Sequence, residues 1–141
     1  MIHIDVERSP LLFVEFRGAL TNADADAYLE LIGTRISIRE RFGLVLHAVD
    51  VPVPNLATIK RISDWMRTHN DEVMRCHACL ALQLESAALR GVLKFFNTIV
   101  APACPQAVFS DAVAAEAWVR AQLAREGLMV PPASQRRPAS G

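Results

Sequence analysis

The stretch Leu46–Lys60, LHAVDVPVPNLATIK, decides the fold because it joins an apolar strand to a helix across a loop with two prolines. The nearly continuous apolar run Leu44–Val49 is typical of a strand that is covered on both faces, as in a parallel sheet. Asp50 ends this run, the prolines fix φ and remove amide donors, and Asn55 favours the N-cap of a helix. We therefore expect a parallel strand followed by a stiff loop and a helix.

The rest of the chain continues this alternation of strand and helix. The five predicted strands are Ile2–Val6, Leu11–Phe16, Leu44–Val49, Cys76–Leu84 and Pro105–Phe109. The first two form a hairpin, and the strands that alternate with helices after it require parallel pairing with right-handed crossovers. The predicted fold class is therefore α/β, with a mixed, mainly parallel sheet and the element order ββαβαβαβα.

Four helices are predicted from residues that favour N-caps and from apolar residues at helical spacing. The predicted caps are Thr21 or Asn22, Asn55, Ser86, and Ser110 or Asp111. Gly43 is expected to close the first helix and Gly127 the last. The predicted inward-facing residues are Ala25, Leu29, Ile32 and Ile36 in the first helix, Leu56, Ile59, Ile62 and Met66 in the second, Leu89, Val92, Leu93 and Phe96 in the third, and Val113, Ala117, Trp118 and Ala121 in the fourth.

Length and composition place the chain among soluble one-domain proteins. It has 141 residues, of which 52% are hydrophobic and 21% charged, and its formal net charge is +0. This balance argues against a nucleic-acid partner, and no apolar run reaches the ~20 residues of a transmembrane helix. A start without a basic leader and the odd count of three cysteines favour a reduced, cytoplasmic protein. We expect a domain over residues 1–127 and a disordered tail over residues 128–141.

Two groups of residues are candidates for catalysis or metal binding, and both fit core positions better. Cys76 and Cys79 have C-x-x-C spacing, but residues three apart in a strand face opposite sides, and a zinc site needs about four such ligands. His47 lies in a predicted strand without a nucleophile motif such as G-x-S-x-G. We therefore expect no catalytic residue, metal or cofactor. An enzyme that uses His47 or the cysteine pair is the least favoured hypothesis.

An ordered set of motifs resembles the STAS fold of anti-sigma-factor antagonists. The resemblance is closer to a divergent SpoIIAA-like branch, whose members are also similar to CRAL-TRIO lipid-binding modules. That branch favours F-x-G-x-L-T-x-x-D near its start, and this chain has FRGALTNAD at Phe16–Asp24. An apolar third helix then leads into Pro105–Phe109, followed by Ala115, Trp118 and Val119.

The resemblance covers about residues 2–125 and implies regulation without catalysis. In the branch that a serine kinase switches, the loop after the third strand reads roughly D-x-S-x-x-D-S-S-G. Asp50 matches the first Asp of that pattern and Asn55 the second, whereas Leu56 and Ala57 take the positions of the serine pair. Neither side chain can accept a phosphate, so the resemblance implies a module that this kinase does not switch.

The leading hypothesis is a non-enzymatic regulatory module that docks a protein partner, with a homodimer as one option. The predicted partner-binding residues occupy the loop and the outer face of the second helix, and they are Asp50, Pro52, Pro54, Asn55, Thr58, Arg61 and Trp65. A loop at the carboxyl end of a parallel strand is where open α/β sheets place ligand or partner contacts. Trp and Arg are also enriched in interface hot spots.

The alternative hypothesis is a lipid or small apolar-ligand carrier, as the likeness to CRAL-TRIO modules implies. Its predicted ligand-binding residues are Phe95, Ile99 and Val100 on the third helix. The apolar face of that helix is wider than a single stripe, and an exposed Phe95 could serve a lipid or partner groove, although ordinary packing is the favoured interpretation of this face. The sequence leaves both functions open and identifies neither the partner nor the ligand.

Overall fold

A five-stranded sheet carries the fold in the computed structural model, which describes residues 1–131. The strands are β1 Ile2–Asp5, β2 Leu11–Arg17, β3 Phe42–Val49, β4 His77–Leu84 and β5 Gln106–Phe109. The helices are α1 Asn22–Ser37, α2 Leu56–Thr68, α3 Asn70–Cys76, α4 Ala87–Ile99 and α5 Ala112–Arg125. The part of the predicted disordered tail from residue 132 onward lies outside the described residues.

The strands lie side by side in the order in which they occur in the chain. β1 pairs with β2 antiparallel, and the other neighbouring pairs are parallel. The predicted α/β class and the mixed, mainly parallel sheet are therefore confirmed. The predicted number of four helices is wrong, because the seven-residue helix α3 precedes β4. It buries only Val73 and Cys76, which is too few apolar positions for a helical period to be recognised in the sequence.

The sheet separates two apolar cores. Successive right-handed crossovers between neighbouring parallel strands place their connecting helices on one face of a sheet. Helices α1 to α4 accordingly share a core with one face, in which Val14, Leu44 and Leu82 from the strands meet Leu29 and Ile32 of α1. Helix α5 covers β3, β4 and β5 on the other face. The core beneath it includes Leu11, Val45, Cys79, Ala81, Ala115, Val119 and Leu123.

The inward face of α5 differs from the prediction. Ala115, Val119 and Leu123 are fully buried, whereas the predicted Val113 is exposed. The predicted Ala117 and Ala121 are exposed as well, and Trp118 is half-buried. An alanine-rich helix has little difference in polarity between its faces, so the contacts with the sheet decide which face turns inward.

The ends of the helices follow the predicted capping chemistry with one exception. Thr21 and Asp24 form a capping box, in which each side chain accepts a hydrogen bond from the backbone N–H of the other. Asn55, Ser86 and Asp111 cap α2, α4 and α5, and Gly127 follows α5 with a positive φ of 75°. Helix α1, however, ends at Ser37, and Gly43 does not close it.

Gly43 lies inside β3, where α5 approaches the sheet most closely. A Cβ atom at this position would lie 2.8 Å from Val119 Cγ1, 2.9 Å from Cys79 Sγ and 3.2 Å from Leu123 Cδ1. The glycine is therefore required for the approach of a helix to the sheet and not for a turn. The sequence does not distinguish these two uses, which explains why the predicted role of Gly43 is wrong.

The chain beyond α5 continues onto the same core. Leu128 and Val130 pack against the core beneath α5. The backbone N–H of Leu128 donates to Leu123 O, and Arg120 donates through Nη2 to the carbonyl oxygen of Pro131 at 3.1 Å. Leu128 and Val130 thus have packed positions although the prediction assigned them to the tail, whereas Met129 between them is 87% exposed.

We predict that Gly43→Ala destabilises the protein, because the added methyl group clashes with two side chains of α5 and one of β4. The expected loss is about 1–3 kcal/mol in the free energy of unfolding, measured by urea denaturation. Gly91→Ala is the control, because a Cβ there meets no atom within 4 Å. The control should be neutral or stabilising by up to about 1 kcal/mol. Equal stability of the two variants would contradict the proposed close approach.

Candidate functional site

An apolar cavity of about 220 Å³ lies between the sheet and the helices α2 and α4. The strands contribute a floor of alternate side chains that includes Phe16, Leu46, Ala48, Leu80, Leu82 and Leu84. The helices contribute walls that include Ile59, Ile62, Met66, Leu89, Leu93 and Phe96. Helix α2 packs mainly on the neighbouring helices α1, α3 and α4, so space remains between it and the sheet.

Among residues 1–131, no charged side chain lines this cavity. Its polar lining residues are Tyr28, Thr58, Asn70, His77, Asn97 and Gln106. Burial raises the pKa of the Tyr28 hydroxyl above its usual value, and it raises the pKa of the Cys104 thiol, which also lines the cavity, to about 12. Both groups are therefore neutral at physiological pH, so the cavity offers hydrogen bonds and apolar contacts but no fixed charge.

His77 is the most deeply buried titratable group of the cavity lining. The residue is 4% exposed, its ring stacks on Phe42 with 4.7 Å between centroids, and its Nε2 atom has no hydrogen-bond partner. Burial, together with the charge of Arg41, lowers the pKa of His77 to about 4, whereas a hydrogen bond with the Cys79 backbone acts in the opposite direction. The imidazole is consequently neutral at pH 7.

Asn97 supplies a second polar group from the last turn of α4. Its Nδ2 donates to Gln106 Oε1 at 3.2 Å, which joins α4 to the first residue of β5. Its Oδ1 atom is buried and has no hydrogen-bond partner. The sequence analysis did not identify His77 or Asn97 as site residues, because the spacing of residues along the chain carries no signal of an unsatisfied buried atom.

The predicted partner-binding residues separate into two environments. Asp50, Pro52 and Asn55 are exposed, as expected for a docking loop. Pro54 and Thr58 line the cavity, and Thr58 is only 2% exposed. The prediction that Thr58 belongs to the outer face of α2 is therefore wrong. The third residue after the N-cap turns inward here, since Asn55 Oδ1 accepts from Thr58 N–H at 2.8 Å and fixes the start of the helix.

Arg61 and Trp65 take part in contacts within the protein. The Arg61 guanidinium donates to both carboxylate oxygens of Asp26, at 2.7 and 3.0 Å, and so links α2 to α1. Trp65 is half-buried, stacks on His69 at a centroid distance of 4.2 Å and packs beside Gly33 of α1. The exposed apolar residues of this region are instead Val53 and Leu56, which are 54% and 74% exposed. The predicted inward position of Leu56 is therefore wrong.

The three residues predicted to bind an apolar ligand do not share one surface. Val100 is buried and lines the cavity. Phe95 is 50% exposed and Ile99 is also exposed, and neither belongs to the cavity lining. The apolar residues of α4 that do line it are those predicted to face the core, namely Leu89, Val92, Leu93 and Phe96.

The residues considered for catalysis lie elsewhere. Cys76 packs in the core beneath α1 to α4 and Cys79 in the core beneath α5, so the two thiols are on opposite faces of the sheet, as predicted. His47 Nδ1 lies 3.7 Å from Glu15 Oε1, and His47 Nε2 lies 3.8 Å from Glu85 Oε1. Both distances exceed that of a hydrogen bond. In the part of the chain that the structure describes, no serine, threonine or cysteine lines the pocket around His47. Within residues 1–131, no cluster of three or more His, Cys, Asp or Glu side chains could hold a metal ion.

Comparisons with known proteins add no family assignment. The sequence matches no family model, and the search of curated proteins found no match. Among the helices of residues 1–131, none combines the length and apolar character that crossing a membrane requires.

The low pKa of His77 predicts a specific pH dependence of stability. The unfolded chain binds a proton on this residue near pH 6.5, whereas the buried ring does so only near pH 4. The contribution of this pKa difference to the free energy of unfolding is fully present above about pH 6.5 and is lost as the pH falls toward 4. His77→Phe should therefore reduce the loss of unfolding free energy between pH 7 and pH 4.5 by about 2 kcal/mol.

Urea denaturation at the two pH values measures this difference. The exposed His3 provides a matched control, and His3→Asn should retain the pH dependence of the original protein. The carboxylates with lowered pKa values, such as Asp24 and Glu126, are present in all three proteins and cancel in the comparison. An unchanged pH dependence in His77→Phe would show that the ring is not buried in its neutral form.

Proposed function

We propose that this protein is a non-enzymatic binding protein that holds a small, uncharged and largely apolar molecule in the cavity between the sheet and the helices α2 and α4. The observation that carries this proposal is the cavity itself, about 220 Å³ in volume and without a charged side chain in its lining. Protein interiors are close-packed and contain few voids larger than a water molecule. A cavity of this size inside an apolar core is therefore best explained by an occupant.

The volume limits the ligand to a small molecule. An engineered apolar cavity of ~150 Å³ stays free of water and binds benzene, and sites for drug-sized ligands occupy roughly 300–1,000 Å³. A cavity of about 220 Å³ lies between these sizes. It suits one substituted ring or a short aliphatic chain, whereas a complete two-chain lipid would have to remain largely outside.

An access route is present where α4 leads into β5. Ala101 and Pro102 are exposed and also line the cavity, so the cavity reaches the surface at this connection. Phe95 and Ile99 present exposed apolar side chains on the helix that precedes it. A ligand that enters here passes apolar surface before it meets the buried side chains of the strands.

We propose as a second candidate a STAS-like regulatory module that docks a protein partner, because the loop after β3 exposes the apolar side chains of Val53 and Leu56. The STAS-like assignment is supported by the ordered motifs of the sequence. The partner would contact Asp50, Pro52 and Asn55 together with these two residues. Arg61 contributes less, because its guanidinium is paired with Asp26. Leu56 and Ala57 carry no hydroxyl, so this docking would not depend on phosphorylation of the loop.

We predict that Ala48→Leu abolishes binding of an apolar probe by filling the cavity from its floor. Toluene is the probe, and isothermal titration calorimetry measures its dissociation constant. The expected effect is at least a tenfold weaker affinity, because the added carbon atoms occupy the space of the ring. Ala114→Leu on the exposed face of α5 is the matched control and should bind toluene like the original protein. Absence of toluene binding in the original protein would refute the cavity function.

We predict that Leu56→Glu reduces recovery of a protein partner at least fivefold in co-purification with the full chain. A buried charge without a counterpart disfavours an apolar interface, whereas the free protein keeps its stability because Leu56 is exposed. Val113→Glu, an equally exposed apolar position on α5, is the control and should recover the partner unchanged. Equal recovery of that partner by both variants would exclude the loop as its docking surface.

A further inference from the structure

Helix α4 is only shallowly embedded in the fold. Of its thirteen residues, Leu89 alone is buried, whereas Phe95 and Ile99 are 50% and 38% exposed. Side chains four residues apart lie on the same flank of a helix, so Phe95 and Ile99 form one apolar ridge along α4, called here the α4 ridge. The helix therefore presents more apolar surface than the described part of the chain covers.

A pair of cationic side chains lies on the other flank of the same outward-facing surface. Arg90 and Lys94 are exposed and are also four residues apart, so they share a flank. Lys94 and Phe95 are separated by about 100° around the helix axis, which places the charges beside the α4 ridge. Arg90 donates through Nη1 to the neutral carbonyl oxygen of Leu84 at 3.0 Å, so its positive charge is not compensated by this contact.

The positive charge of α4 is a local excess in a chain whose formal net charge is +0. Arg90 and Lys94 are the only charged side chains within residues 86–110. Glu85, which precedes this stretch, lies beside His47 in the pocket on the α5 side of the sheet. Asp111, which follows the stretch, accepts a hydrogen bond as the N-cap of α5. The surface of α4 is therefore complementary to an anionic partner.

We propose that α4 docks on the surface of a lipid bilayer that contains anionic lipids. Helices that lie in the membrane interface combine aromatic and aliphatic side chains on one side with Lys and Arg on the other. The α4 ridge would enter the boundary between headgroups and acyl chains, while the long cationic side chains reach the phosphate groups. Lys is depleted in protein–protein interfaces, so Lys94 beside the ridge favours a bilayer over a protein as the occupant.

This inference goes beyond the proposed function of the cavity, because it assigns peripheral membrane binding to the protein. The two properties meet at Ala101 and Pro102, which follow α4, are exposed and also line the cavity. A docked α4 would bring this opening of the cavity to the bilayer surface. Vesicle binding requires no ligand in the cavity, so its outcome is independent of the titration with toluene.

Flotation of the full chain with lipid vesicles tests the proposal. Vesicles of phosphatidylcholine with added phosphatidylglycerol should bind at least fivefold more protein than vesicles of phosphatidylcholine alone, and added salt should reduce this difference. Replacing the ridge by Phe95→Ser together with Ile99→Ser should weaken binding to the anionic vesicles at least fivefold. Val113→Ser, at an apolar position on α5 that is 75% exposed, is the matched control and should bind like the original protein.

A second variant keeps the inference testable if the ridge variant does not fold. Lys94→Glu changes an exposed side chain and should lower binding to the anionic vesicles at least threefold, whereas Arg125→Glu on α5 should not. Absence of binding to either vesicle type, equal binding to both, or full binding by the Lys94→Glu and ridge variants would overturn the proposal. A dimer of the original protein that the ridge variant loses, without vesicle binding, would assign the ridge to a second copy of the chain instead.

Discussion

The constraint on which this structure depends is the sequential order of its parallel strands. Neighbouring strands lie about 4.8 Å apart, whereas packed helices need about 8–10 Å between their axes. Each crossover from β2 to β5 advances by one strand, so all connecting helices arrive on one face within a narrow width. They cannot all lie flat on the sheet. Helix α2 packs mainly on its neighbouring helices, and the space that remains above the strands is the cavity.

The opposite face of the sheet is not crowded with helices, and its core is formed by close approach of a helix. Among the helices of residues 1–131, only α5 covers it, and this helix must approach closely to bury residues of β3 and β4. Gly43 and the small residues Cys79 and Ala81 make room for Val119 and Leu123.

The chemistry of the cavity follows from where polar residues enter this crowded layer. His77 begins β4 directly after α3, and Asn97 lies near the end of α4, and both residues line the cavity. The charged residues of α2 point outward, where Arg61 binds Asp26 and Asp64 accepts from Lys60 and Arg67. A neutral interior beside a charged exterior is what a binding protein for small neutral molecules requires.

The sequence by itself determined the strands, the helix caps and the α/β class, because these depend on residues close together in the chain. Thr21 with Asp24, and Asn55 with the amide of Thr58, are examples of pairs within one turn. Only the tertiary structure decided that Gly43 allows α5 to approach the sheet closely and that α5 turns Val119 inward. It also buried Thr58 and exposed Leu56, which is the reverse of the prediction for both residues. It also brought His77 and Asn97 to one cavity. These outcomes depend on contacts between segments that are far apart in the chain, and the spacing of residues within one segment does not predict such contacts.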